Sequence, residues 1–115
     1  MTLMETARTL GLTSKVDGLA DREITGGYVS DLLSDVLKNA KTGYVWITNQ
    51  KHQNCVAVAS LLDLSGIIIT GGTEPDPDTI EKAATEQVPL YTTDKSAFDI
   101  AGAIYEMGIR GPIQP

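Results

Sequence analysis

The apolar positions change their period several times along the 115-residue chain, and each change marks an expected element. Leu3, Met4, Ala7 and Leu10 recur at helical spacing behind Thr2. Glu5, three positions on, completes the pattern of a capping box, and Gly11 is the expected stop. A short strand is expected from Ser14 to Val16, followed by a polar loop from Asp17 to Glu23. Leu32, Leu33, Val36, Leu37 and Ala40 form the next helical stripe, with Ser30 as cap, Asp31 in the first turn and Gly43 as the end.

The second half alternates in the same way. Tyr44 to Thr48 is β-branched and aromatic without a break, which predicts a strand. Asn54 to Leu62 is apolar nearly all round, the pattern of a helix buried on more than one side. Gly66 to Thr70 carries three consecutive isoleucines, so neither face is polar, as in a parallel strand covered on both sides. Asp76 and Pro77 predict a helix start with Ile80, Ala83 and Ala84 inward. Val88 to Thr92 reads as a last short strand, placed at an edge or a strand start by Pro89. A closing helix is expected from Lys95 to Met107, with Ala97, Phe98, Ala101, Ile104 and Tyr105 on its inner face and Gly108 as its C-cap.

Strands alternating with helices at this pitch predict an α/β fold, a mostly parallel central sheet with helices on both faces, and function in loops at the strand ends. The length fits one domain, residues 1–110, with residues 111–115 as a flexible C-terminal tail.

Composition narrows the partners. A net charge of −6 with scattered Lys and Arg argues against nucleic acid and against an anionic membrane surface. No apolar run reaches the length of a spanning helix, and the N-terminal residues lack the pattern of a signal peptide. The single Cys55 sits in an apolar run and has no internal partner, which suits a buried thiol in a cytoplasmic protein.

The tetrapeptide Ile-Thr-Gly-Gly occurs at residues 24–27 and again at residues 69–72. The second copy is followed by Thr73-Glu74-Pro75-Asp76, whose acids and proline weaken any anion site, so it reads as a glycine-permitted turn. The first lies just ahead of the helix expected at Ser30, with Arg22 nearby, so its amides and Ser30 are candidates to meet a ligand oxygen; Asp31 would compete for them. Asp31 and Asp35, four apart on that helix, are a candidate carboxylate pair for Mg²⁺ or acid–base work. The lone His52 lies in the polar cluster Asn49 to Asn54, just past a strand end. No metal set, nucleophile elbow or cofactor motif accompanies it.

Asp21-Arg22-Glu23-Ile24-Thr25-Gly26-Gly27-Tyr28, continued by Ser30 to Val36, resembles the signature of DRTGG domains. Trp46-Ile47-Thr48, Gln50, His52, Asn54 and Ala57-Val58-Ala59 resemble the second block of that family, and the order of elements agrees to about Ile109. Such domains occur between the CBS domains of regulated family II pyrophosphatases, beside phosphotransacetylase domains, and alone. The resemblance implies a three-layer α/β/α sandwich similar to the N-terminal domain of HPr kinase/phosphorylase and to the UDP-binding domain of Mur ligases. It also implies a non-enzymatic, homodimeric regulatory module without a cofactor. Cys55, where a branched aliphatic residue looks suited, and the added polar group of Asn49 depart from the pattern.

The expected role is therefore a cytoplasmic homodimer that senses a small anionic or nucleotide-like ligand. Its candidate ligand or interface residues are Arg22, Thr25, Gly26, Gly27, Tyr28, Ser30, Asp31, Gln50, His52 and Asn54. The alternatives are an adaptor for a partner redox or signalling enzyme and, last, a small phosphate-transfer or hydrolytic enzyme built on Asp31, Asp35 and His52.

Overall fold

Thr2 sets the first element. In the computed structural model, which describes residues 1–113, its Oγ accepts the Glu5 amide at 3.2 Å, and Gly11 closes the helix in the left-handed conformation at φ 67°. This is α1, Leu3–Leu10; β1 (Thr13–Ser14), β2 (Gly26–Val29), α2 (Leu33–Asn39) and β3 (Tyr44–Thr48) follow. Then come α3 (Gln53–Leu62), β4 (Gly66–Ile69), α4 (Pro77–Glu86), β5 (Leu90–Thr92) and α5 (Ala97–Glu106). No helix among the described residues is long and apolar enough to cross a membrane.

The strands form one sheet in the order β1-β5-β4-β3-β2, in which β2 to β5 are mutually parallel and β1 pairs antiparallel with β5. From β2 to β5 each step moves to the adjacent strand in the same direction. Right-handed crossovers then place all three connecting helices on one face. That face is the cluster in which Trp46, Ile67, Ile69 and Leu90 meet Val36, Val56, Ala59 and Ala83. The alternate strand residues Val45, Ile47, Ile68 and Tyr91 face the other way and pack against Leu3, Ala7, Ile100 and Ile104 of α1 and α5. The expected three-layer α/β/α arrangement results, and the isoleucine run is buried on both faces.

Several local expectations are corrected. Gly26 and Gly27 do not turn into a helix; they open the edge strand β2, and neither has positive φ. α2 begins at Leu33 rather than after Ser30, and it ends at Ala40 rather than Gly43. Ser30 Oγ accepts the Leu32 amide at 3.1 Å, fixing the strand-to-helix bend instead of capping. Asp31 and Asp35 consequently share no helix face. Leu32 is 65% exposed, so the inward stripe of α2 narrows to Leu33, Val36 and Ala40. On α5, Phe98 and Tyr105 face outward, at 87% and 58% exposed, and the buried stripe runs through Ile100 and Ile104. Met107 is the C-cap there, with Gly108 following at φ 96°.

The expected flexible tail lies partly outside the described residues. Its root is fixed: the Gly27 amide donates to the Arg110 carbonyl at 2.9 Å, along the free edge of β2.

Candidate functional site

The residues singled out from sequence fall at two opposite ends of the sheet. At the amino ends of the parallel strands, Arg22 Nη2 meets Asp63 Oδ1 at 2.7 Å, at the C-cap of α3. Thr25 Oγ1 donates to the Thr42 carbonyl at 2.8 Å and the Thr25 amide to the Gly43 carbonyl at 3.0 Å. Gly26 has no room for a Cβ because the Tyr44 ring lies on it. The Thr-Gly-Gly stretch thus locks the start of β2 to the turn before β3. With the Thr25 and Gly27 amides already donated to carbonyls, no anion cradle forms there.

The second Ile-Thr-Gly-Gly is a turn, as expected. Gly71 and Gly72 have φ of 73° and 76°, and their amides donate to the carbonyls of Lys95 and Thr93.

Tyr28 lies between the two ends of the sheet. Its hydroxyl donates to Asp35 Oδ1 at 2.8 Å, and Asn39 Nδ2 donates to the same oxygen at 2.7 Å. The hydroxyls of Ser30 and Tyr28, with the Asn39 amide, hold the Asp35 carboxyl below its ordinary value. The bond to Asp35 pushes the Tyr28 hydroxyl up.

At the carboxyl ends of β2, β3 and β4 the remaining candidates converge. Asp31 Oδ1 accepts from Thr48 Oγ1 at 2.8 Å and from the Asn49 amide at 2.7 Å, while Gln50 Nε2 donates to the Asp31 carbonyl. Thr70 Oγ1 donates to Asn49 Oδ1 at 2.7 Å, joining the ends of β3 and β4. His52 Nδ1 lies 2.8 Å from Asp76 Oδ2, so the carboxylate expected to cap α4 holds the imidazole instead. Asn54 is exposed in the first turn of α3, without a side-chain hydrogen bond among the described residues.

Asp31, Asn49, Gln50, Lys51, His52 and Thr73 line an open depression of about 400 Å³ on this rim. Because the strand order never reverses among the parallel strands, topology supplies no crevice here. The depression is built by side chains instead. Lys51 was missed as a candidate; its backbone carbonyl is fixed by Thr79 Oγ1 and the Asp76 amide, and its ammonium forms no ion pair among the described residues. Thr73 and Asp76 were missed as well, because they arrive from the loop after β4, which only the folded chain brings beside His52.

A model of the DRTGG domain matches residues 23–107. The chain belongs to the DRTGG-domain family. Asp21 and Arg22 lie just ahead of the matched span. Among solved structures, this DRTGG domain is similar to the CBS and DRTGG domains of the regulatory region of Clostridium perfringens pyrophosphatase, complexed with its activator diadenosine tetraphosphate. The identity is 20% and the TM-score 0.68, over 89% of this chain and 45% of that one. The chain thus spans less than half the length of that structure, and the likeness speaks for the fold. A search of curated proteins gave no match.

Proposed function

We propose that this DRTGG domain is a non-enzymatic regulatory module of the cytoplasm, homodimeric, that binds a small anionic or nucleotide-like ligand at the rim formed by Asp31, Gln50, Lys51 and His52. The observation that carries this reading is the convergence of these side chains on one depression at the carboxyl ends of neighbouring parallel strands. Lys51 offers an uncommitted cation, and His52 stands 61% exposed with its orientation set by Asp76. Asp31 Oδ1 is tied to the Thr48 hydroxyl and the Asn49 amide, which hold that oxygen against the end of β3. The pyrophosphatase regulatory region, which shares the fold, was captured with a dinucleoside polyphosphate activator, and that supports a nucleotide-like ligand here.

The test is a thermal-shift and calorimetric titration with diadenosine tetraphosphate, ATP and inorganic phosphate. A saturable rise in melting temperature is expected for at least one probe, since a ligand that binds only the folded state stabilises it. The rise should shrink in Lys51→Ala and His52→Ala, whose exposed side chains cost little stability when removed. Identical rises in both variants and the parent chain would move the ligand away from this rim, and no rise with any probe would remove the ligand half of the proposal.

A second reading, an adaptor for a partner enzyme, is favoured by Phe98 and Tyr105 on α5, exposed at 87% and 58%. Light scattering over a range of concentrations separates the two: a monomer throughout points to another protein as the partner of that face.

A further inference from the structure

A cavity of about 480 Å³ shares no lining residue with the rim depression. It lies between α1 and the segment from Leu12 to Arg22, which carries β1, and Pro89 and Tyr91 line it as well. Its walls are apolar at Leu12, Val16, Leu19 and Pro89. The loop closing it is shaped by Gly18 at φ 78°.

Tyr91 makes this cavity more than a gap. The residue is 8% exposed, and its hydroxyl, open to the cavity, forms no hydrogen bond among the described residues, where Ser65 Oγ is the buried side-chain oxygen left without a partner. Burial, and then the charge of Asp21, push this hydroxyl above its usual value, so it keeps its proton and stands ready to donate. Arg8, on the last turn of α1, also lines the cavity and forms no ion pair among the described residues. Of the two carboxylates nearby, Asp21 accepts from the amides of Met4 and Arg22 at 2.9 Å each, and Asp17 is exposed to solvent.

We infer that this cavity is a second ligand site, for a small carboxylate with a branched or aromatic body. The body fills the space against Leu12, Val16, Leu19 and Pro89, and the carboxylate accepts from the Tyr91 hydroxyl and faces the Arg8 guanidinium. The geometry suits this class because apolar walls with a few convergent donors select an amphipathic anion. Tight polyanion binding is disfavoured by Asp17 and Asp21 at the same mouth.

The test is a heteronuclear NMR titration of the 115-residue chain with phenylacetate and 4-methylpentanoate, and with phenethylamine as the cationic counterpart. Saturable shifts are expected at Leu12, Val16, Leu19 and Tyr91 for the carboxylates and not for the amine. Tyr91→Phe should weaken binding about tenfold, the loss of one charge-assisted hydrogen bond, and Arg8→Gln should weaken it as well. Tyr91→Phe should melt at the parent temperature, because the hydroxyl it removes holds nothing in the fold. His52→Ala should bind these carboxylates unchanged, so failure of the rim reading and failure of this one are separable. The inference is overturned by any of three results: no saturable shift at about 10 mM of either carboxylate, equal affinity in Tyr91→Phe, or a marked fall in the melting temperature of that variant, which would make the hydroxyl structural.

Discussion

The Tyr28 hydroxyl donates to Asp35 at 2.8 Å, joining the edge strand β2 to the first turn of α2 across the bend that carries Ser30 and Asp31. Because Ser30, Tyr28 and Asn39 all favour the ionised carboxyl, the folded-state pKa of Asp35 lies below its unfolded value. Such a group stabilises the fold above the unfolded carboxylate pKa, near 3.8, and its contribution disappears as the pH falls through the lowered folded value. Asp35→Asn is therefore expected to lower the urea midpoint at neutral pH and to converge with the parent chain in acid. Midpoints measured from pH 7 down to the acid limb check this; parallel curves would show that Asp35 contributes nothing through its charge.

The two glycines of the signature should respond differently to the same change. A Cβ on Gly26 runs into the Tyr44 ring, whereas one on Gly27 meets only ordinary contacts at 3.7 Å, with Ile109 and Val45. Gly26→Ala is expected to cost about 1–3 kcal/mol, as overpacked sites do. Gly27→Ala should lie within about 0.5 kcal/mol of the parent chain. Denaturation of the two variants side by side decides it; equal losses would place the constraint in the backbone rather than in the ring.

Cys55 is fully buried, and burial pushes its thiol up to about 11. A thiol that is neutral and covered reacts slowly, since the thiolate is the nucleophile. Ellman's reagent is expected to leave the native chain untouched at pH 8 and to titrate Cys55 at once in denaturant. Fast reaction of the native protein would show that the α3 face opens readily.

Trp46 is fully buried, and its indole Nε1 donates to the Ser30 carbonyl at 2.8 Å. Trp46→Phe keeps an aromatic ring but removes the donor, leaving that carbonyl without its bond, at an expected cost of about 1–3 kcal/mol. Since Ser30 precedes Asp31, any ligand that binds at the rim should be weakened too. A variant as stable as the parent would mean that the carbonyl finds another donor.

The layered fold was legible because the long elements carry strong periods: the isoleucine run, the aromatic strand from Tyr44 and the Thr2-capped helix all came through. The glycine-rich start of β2 was not, since four residues with two glycines have little strand propensity of their own. The strand exists through pairing with Val45, Trp46 and Ile47. On α5 the spacing allowed two stripes, one through Phe98 and Tyr105 and one through Ile100, and only the position of the sheet chooses between them. At the site, Gln50 and His52 were legible as a polar cluster after a strand. The partnership of His52 with Asp76 was not, because it depends on how two loops end side by side.

The place of β1 beside β5 has a consequence for the order of assembly. The register Thr13 with Thr92 joins segments from opposite ends of the sequence, and Leu3 of the helix before it packs among Ile68, Tyr91 and Ile104, all of the second half. During synthesis α1 therefore emerges before most of the surface it covers, with only Ile24, Val45 and Ile47 of its cluster following soon after. β2 to β4 can pair as each appears, but α1, made before them, completes its packing only with β5 and α5, so nascent chains carry a partly uncovered Leu3 and Ala7 until those elements have been made.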